Sequence, residues 1–233
     1  TKMKIDKKII VNALIALVVY AAVMGLVKGG VLSRQMMSLI TPVCVYVMMS
    51  VSLSLVVGFL GELSLGHAAF MSIGAYTGCL FLIATKDILP VLVSLLLAVF
   101  IGGVAAALLG VIIGIPVLRL TFFFLSFFPL FFGVFFKSVF NSLKITGGAK
   151  GLSKIPLVAT YKNFTFVFIL MLLVILLVSH LVNSRHGRAV CAIRDNYIAA
   201  EAVGIPVSRY KILAFVIAAF MAGMAGVIYG ANL

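Results

Sequence analysis

Long apolar runs separated by short polar segments make up most of this chain. Seven of the runs are about as long as a helix must be to cross a bilayer, roughly 20 residues for about 30 Å of hydrocarbon. They cover residues 9–27, 36–57, 67–85, 91–118, 121–140, 164–182 and 212–229. The pattern predicts an all-α polytopic membrane protein with about seven transmembrane helices.

Composition supports a membrane protein and excludes several other classes. Of the 233 residues, 64% are hydrophobic and 10% are charged, whereas a soluble domain has about a quarter charged residues. The net charge of +13 comes from Lys and Arg at helix ends, where they face lipid head groups and not nucleic acid. Five scattered acids, three histidines and three unpaired cysteines predict no catalytic cluster, metal site or disulfide.

The segment 58–76 is rich in glycine and interrupts the apolar pattern with polar side chains. Irregular backbone at membrane depth survives only where it is buried or lines a cavity, and ionisable groups there tend to mark function. One interpretation is a discontinuous helix on the path of a polar solute. The other is a tight helix-packing face. On the first interpretation the translocation pathway includes Gly61, Glu62, Ser64, Gly66 and His67.

A long polar segment, 187–213, follows the sixth run. Arg188–Val203 fits one amphipathic helix that Gly204 ends, and one side of this helix has an apolar face. The face consists of Val190, Ile193, Tyr197 and Ala200. Such a helix either docks into a groove of a partner or lies on the lipid surface.

The distribution of positive charge predicts which side of the membrane the polar segment occupies. Seven spans place the N-terminus and 185–211 on one side, which also holds the larger number of Lys and Arg. That side has Lys2, Lys4, Lys7, Lys8, Arg119, Arg185, Arg188, Arg194, Arg209 and Lys211. The opposite side has Lys28, Arg34, Lys86, Lys144, Lys150, Lys154 and Lys162. Because cytoplasmic loops have an excess of positive residues, 185–211 is predicted to be cytoplasmic.

Several segments resemble one family of membrane proteins, in the order that the family has them. GRAVCAIRDNYIAAEAVGIPVSRYKILAF, from residue 187, is similar to the coupling loop of permeases of ABC importers, in particular the branched-chain amino acid permeases of the LivM type. GELSLGHAAFMSIGAY (61–76), LRL (118–120) and TGGAKGL (146–152) resemble further motifs of that family. The resemblance implies one transmembrane permease domain over 1–233, with 185–211 as a cytoplasmic coupling loop.

The resemblance also implies which residues couple the permease to an ATPase. In the importer pattern E-A-A-x-x-x-G, Ala199, Ala200 and Gly204 match the two alanines and the glycine, while Ile198 stands in place of Glu. The implied coupling residues are Arg188, Arg194, Asp195, Ala199, Ala200, Glu201 and Gly204. The helix would sit in a cleft of the ATPase, so that closure of the ATPase on nucleotide tilts the membrane helices.

By resemblance, the chain is a transport subunit in the bacterial cytoplasmic membrane and not an enzyme. The implied partners are ABC ATPase subunits, a second related permease and an extracytoplasmic amino-acid-binding protein. The chain itself is expected to bind no cofactor, because ATP and Mg are used by the ATPase. The implied solutes are leucine, isoleucine, valine or similar amino acids.

The sequence departs from the family at two points, and two other functions stay open. Where the family usually has a segment that contains glycine, tyrosine and an acidic residue, this chain has a Phe-rich segment, 121–136. Family members also normally continue with further spans after the position that corresponds to Leu233. We therefore expect the transmembrane domain to be truncated at its C-terminal end. An importer of urea or short amides fits the same motifs. A proton-coupled secondary transporter would use Glu62 and His67 as a proton relay.

Overall fold

A computed structural model describes residues 7–30, 32–64, 66–86, 88–117, 122–143, 146–152 and 155–232. Within these residues nine α-helices follow one another along the chain. They are α1 (Lys7–Lys28), α2 (Arg34–Ser54), α3 (His67–Thr85), α4 (Val91–Val117), α5 (Phe122–Ser142), α6 (Phe164–Asn183), α7 (Arg185–Asp195), α8 (Tyr197–Ala202) and α9 (Val207–Gly230). A π-helical turn, Leu55–Leu60, extends α2.

Each of the seven predicted spans coincides with a long helix, which confirms the all-α polytopic fold. In the described part of the chain, five helices are long and apolar enough to cross a membrane: Arg34–Leu60, His67–Thr85, Val91–Ile115, Phe164–Asn183 and Val207–Gly230. The helices α1 and α5 have 22 and 21 residues, enough to cross the hydrocarbon. The LRL motif at 118–120 lies outside the described residues.

The chain divides into two compact units, Thr1–Ile40 and Thr41–Leu233. The first contains α1 and the start of α2, and the second contains the remaining helices. All residues that the sequence predicts to couple or to line a pathway belong to the second unit. The single permease domain over 1–233 stays a prediction.

Three helices, α3, α4 and α9, form the core of the second unit. Small residues let them approach closely: a Cβ on Gly74 would overlap with the backbone of Gly223, and one on Gly223 would lie 2.7 Å from the carbonyl oxygen of Gly102. Membrane helices commonly associate through such small-residue faces. Gly102 and Gly223 thus lie where α4 and α9 meet.

The outer face of α4 is a stripe of large apolar side chains at intervals of four or eight residues. Each is at least half exposed: Leu92, Leu96, Phe100, Leu108 and Ile112. Each step of four residues turns about 40° around the helix axis, so the stripe winds around α4 from Leu92 to Ile112. An apolar stripe of this length on a helix fits contact with lipid, because hydrocarbon solvates it at no cost.

Candidate functional site

The glycine-rich segment ends the helix that begins as α2. In the last turn, Leu55–Leu60, the hydrogen bonds follow the π-helical pattern, in which a donor bonds to the carbonyl five residues earlier. Gly61 follows with a φ of +78°, and its N–H donates to the carbonyl of Val56. The N–H of Glu62 donates to the same carbonyl at 3.2 Å. Glycine adopts this left-handed conformation without steric cost, so Gly61 allows the chain to leave the helix.

The interruption is short, and α3 begins at His67. Ser64 and Gly66, both predicted pathway residues, are buried between the two helices. The hydroxyl of Ser64 is buried without a hydrogen-bond partner among the described residues. The chain therefore turns here between two separate spans, because α2 runs antiparallel to α9 and α3 runs parallel to it. The expectation of one discontinuous helix was wrong for the described residues, and the rest of the glycine-rich signature, 67–76, is helical.

His67 joins three helices through one buried hydroxyl. Its Nε2 lies 2.8 Å from the Oγ of Ser52 in α2, and that Oγ lies 2.7 Å from the carbonyl oxygen of Ala218 in α9. A serine hydroxyl has one proton, which it donates to the Ala218 carbonyl, so Nε2 of His67 is the donor to Ser52. Both side chains are buried. His67 thus has a hydrogen-bond partner inside the helix bundle.

Two cations from 185–211 meet the end of α2. The Nη1 of Arg194 donates to the carbonyl of Gly58 at 3.0 Å. The aliphatic part of the same side chain lies over Gly61, where an added Cβ would be 2.6 Å from Cγ of Arg194. The Nζ of Lys211 lies 2.5 Å from Oε1 of the buried Glu62, an ion pair outside the angles of a hydrogen bond. We name Gly58, Gly61, Glu62, Arg194 and Lys211 the α2 joint.

The polar segment contains two helices where the sequence predicts one from Arg188 to Val203. The first, α7, buries one face through Gly187, Val190 and Ile193. It ends at Asn196, whose extended backbone breaks the helix. The Oδ1 of Asn196 then accepts hydrogen bonds from the two backbone N–H groups at the start of α8, both at 3.0 Å. The prediction of a continuous helix was wrong, because an asparagine in this conformation is a strong helix N-cap.

Three residues of the predicted apolar face, Val190, Ile193 and Ala200, are buried, and the fourth, Tyr197, is exposed. Tyr197, Ile198 and Val203 are 57%, 64% and 77% exposed. Of the predicted coupling residues, Arg188, Arg194, Asp195, Ala199, Glu201 and Gly204 are also exposed. We name the apolar side chains Tyr197, Ile198 and Val203 the α8 patch. It lies outside the five candidate membrane spans.

A cavity with a volume of about 610 Å³ lies beside α3. One face of α3 supplies one wall, and the end of α9 together with three residues between α5 and α6 supplies the others. The lining residues are Ala68, Met71, Ser72, Ala75, Tyr76, Cys79, Leu152, Ile155, Leu157, Tyr229 and Gly230. None of these residues is charged, so the cavity presents apolar surface with a few hydroxyl groups.

The five predicted pathway residues lie next to this cavity in sequence but do not line it. Gly61 and Glu62 belong to the α2 joint, and His67 points to Ser52. The structure thus brings two predicted pathway residues together with Arg194, a predicted coupling residue. Their role in translocation stays a prediction.

Three features of these sites are not evident in the sequence predictions. Ser52 and Lys211 were unremarkable, because a serine in an apolar run and a lysine at a helix end are common. The α3 wall of the cavity has a weak signal in sequence, since Ala68, Ser72 and Ala75 recur at helical spacing as small residues. Small residues at this spacing predict close packing as readily as a cavity.

The helices and the exposed α8 patch define a multi-pass membrane protein with a folded region outside its spans. The family model for the permease component of branched-chain amino acid transport systems matches residues 35–233. The chain belongs to this family. It is a multi-pass protein of the inner membrane.

Two curated relatives support this assignment. The chain is 30% identical over 236 aligned positions to the high-affinity branched-chain amino acid transport system permease protein LivM of Escherichia coli strain K12. It is 28% identical to the protein of the same name from Salmonella typhimurium strain LT2. Each alignment covers 86% of this chain and 53% of the relative, so the chain spans about half the length of the curated relatives it matches. No solved structure gives a significant match.

Proposed function

We propose that this chain is a permease subunit of an ABC importer that moves leucine, isoleucine, valine or similar amino acids across the inner membrane. The observation that carries the proposal is the family match over residues 35–233, which covers both the cavity and the α8 patch. The two relatives are permease proteins of branched-chain amino acid transport systems by name. The chain itself has a transport role and no catalytic one.

A separate ATPase subunit supplies the energy and docks on the α8 patch. Three exposed apolar side chains on or beside a short helix, with the exposed charges of Arg194, Asp195 and Glu201 nearby, suit a helix that enters a partner's groove. Exposed apolar surface outside the membrane spans is otherwise costly. ATP and Mg belong to that ATPase, and this chain binds no cofactor.

Two further partners complete the proposed importer. A second related permease subunit shares the membrane, and an extracytoplasmic binding protein delivers the amino acid. The charge distribution of the loops favours a cytoplasmic location for α7 and α8. The segment between α5 and α6, which contains Leu152, Ile155 and Leu157, is then on the opposite side by the count of spans and faces the binding protein.

The cavity beside α3 serves as part of the solute path. Its apolar lining suits an aliphatic side chain, which gains about 25 cal/mol for each Å² that it removes from water. The ammonium and carboxylate groups of the amino acid would need partners outside these uncharged residues. The choice of a branched-chain amino acid over the alternative cargo, urea or a short amide, therefore rests on the family match.

Uptake in cells tests this function against its rivals. We compare cells that lack the gene with cells in which it is restored, and measure uptake of radiolabelled leucine and urea. The proposal expects leucine uptake that stops when arsenate depletes ATP. Uptake of urea in place of leucine contradicts the cargo. Uptake that survives ATP depletion but stops with an uncoupler contradicts the importer and supports a secondary transporter that relays protons through Glu62 and His67.

Filling the cavity is expected to reduce transport. Ala68 is exposed to the cavity, so Ala68→Phe places a ring in the solute path without disturbing packed neighbours. We expect leucine uptake to fall about tenfold, which corresponds to about 1.4 kcal/mol in the activation barrier. Leu108→Phe, in α4, is the matched control because Leu108 is 60% exposed and is not among the residues that line the cavity. Equal uptake by both variants would remove the cavity from the proposed path.

A further inference from the structure

The C-terminal end of α2 carries partial negative charge, and the guanidinium group of Arg194 lies against it. The last carbonyls of a helix lack partners in the helix and carry partial negative charge. Arg194 reaches from α7 across 136 positions of sequence to donate to one of them, the carbonyl of Gly58. This hydrogen bond fastens α7 to the C-terminal end of α2.

Contact at Gly61 makes the attachment close. A Cβ at this position would lie 2.6 Å from Cγ of Arg194 and 3.5 Å from its Cβ and Cδ, so the glycine has no room for a side chain. The left-handed backbone of Gly61 excludes most other residues independently. Because Gly61 has no side chain, movement of Arg194 towards α2 would push directly on the backbone of Gly61.

The second attachment is the ion pair of Glu62 and Lys211. The side chains are 9% and 25% exposed, and Lys211 belongs to α9, the most buried helix of the core. Removing one partner of a buried ion pair leaves an uncompensated charge. Glu62 therefore fastens the end of α2 to the beginning of α9.

Apolar packing closes the remaining side of the α2 joint. A cavity of only about 10 Å³ separates Val190 of α7 from Leu55 and Phe59 of the π-helical turn and from Leu213 of α9. This volume is about what one water needs. The helices α7, α2 and α9 thus meet with almost no free space.

We propose that Arg194, Lys211 and Glu62 are positioning residues that carry motion of the ATPase from α7–α8 into the membrane helices α2 and α9. This inference rests on the proposed function, because it assumes that an ATPase moves α8. It assigns Glu62 to transmission of that motion and not to contact with the solute. Without the ion pair, the ATPase would still bind and hydrolyse ATP, but less solute would cross for each ATP.

The test uses the assembled transporter in proteoliposomes and measures leucine uptake and ATP hydrolysis together. Glu62→Gln and Lys211→Met are expected to retain the ATPase subunits and to lower leucine uptake per ATP about tenfold or more. The charge swap, Glu62→Lys with Lys211→Glu, is expected to restore at least half of the wild-type ratio. A residue that only helped folding would change the amount of transporter and leave the ratio unchanged.

Lys86→Met is the matched control, because Lys86 is exposed at the far end of α3. We expect this variant to take up as much leucine per ATP as the wild type. A normal ratio in both single variants overturns the proposal, as does a swap no better than the single variants. If the single variants do not accumulate, the charge-swap variant tests the proposal through its leucine uptake per ATP. A value below half that of the wild type then overturns it. Wild-type uptake that does not need ATP would instead reject the proposed function, which separates the two failures.

Discussion

Replacing Gly226 with valine is expected to remove most of the folded protein from the membrane. A Cβ at this position overlaps with the carbonyl oxygen of Met71 and lies 2.9 Å from the carbonyl carbon and 3.1 Å from N of Ala75. These are backbone atoms of α3, which cannot rotate away as a flexible side chain would. Overpacking typically costs about 1–3 kcal/mol, and backbone contact on this scale lies at or beyond the upper end. Accumulation in membranes and elution of the detergent-solubilised protein as a single species measure the effect.

Gly25→Val is the matched control for this substitution. Gly25 is exposed in α1, and a Cβ there meets no described atom within 4 Å. Both changes place valine inside a long helix, so they share the same helix propensity and differ in contact. Normal accumulation of Gly226→Val would mean that α3 and α9 are not as close as described.

Ile198→Asp is expected to weaken binding of the proposed ATPase strongly without affecting the fold. Ile198 is 64% exposed in the α8 patch, so the chain itself loses little when it changes. At an interface, a hot-spot residue contributes about 2 kcal/mol or more, and a buried unpaired carboxylate adds a desolvation cost. We expect the affinity to fall about 30-fold or more, at about 1.4 kcal/mol for each factor of ten. Co-purification with the ATPase subunits gives the first measurement, and titration in detergent gives the second.

Ile88→Asp is the control, because Ile88 is 77% exposed and follows the C-terminal end of α3. The length of α3, about 28 Å, separates that end from the α2 joint. Gly204→Asp tests the same surface through the backbone. Gly204 has a φ of +87°, and an added Cβ meets no described atom within 4 Å. Strain and charge, and not a clash, would then lower the affinity. Undiminished binding by both Ile198→Asp and Gly204→Asp would argue for a helix that lies on lipid instead.

The membrane helices were predictable because hydropathy depends on local sequence alone. The run predicted at 91–118 is observed as Val91–Val117, and the run at 67–85 as His67–Thr85. The helix α9 begins at Val207, before the run predicted at 212–229, because hydropathy does not register the polar first turns that contain Arg209 and Lys211. A helix continues through polar residues that face away from lipid.

The sites were less predictable, because distant residues create them. The sequence shows that Glu62 and Arg194 are charges in glycine-rich or polar segments. Hydrophobic periodicity does not reveal that Glu62 pairs with Lys211 or that Arg194 contacts Gly58. The hydrogen bond from Arg194 to Gly58 spans 136 positions. The break at Asn196 is different: a helix N-cap signal is present in the sequence, and the amphipathic pattern across it hid the signal.

The helix α9 contacts other parts of the chain at both ends and packs closely in the middle, so a tilt of the helix would move these contacts together. Lys211 holds its beginning to Glu62, and the carbonyl of Ala231, just beyond its end, accepts a hydrogen bond from the N–H of Ala159 at 3.3 Å. Its 24 residues are about 36 Å long. A tilt of about 10° around the closely packed Gly223 moves ends that lie roughly 10–25 Å away by about 2–4 Å. Through this geometry, a small push at Lys211 would change the width of the cavity at Tyr229.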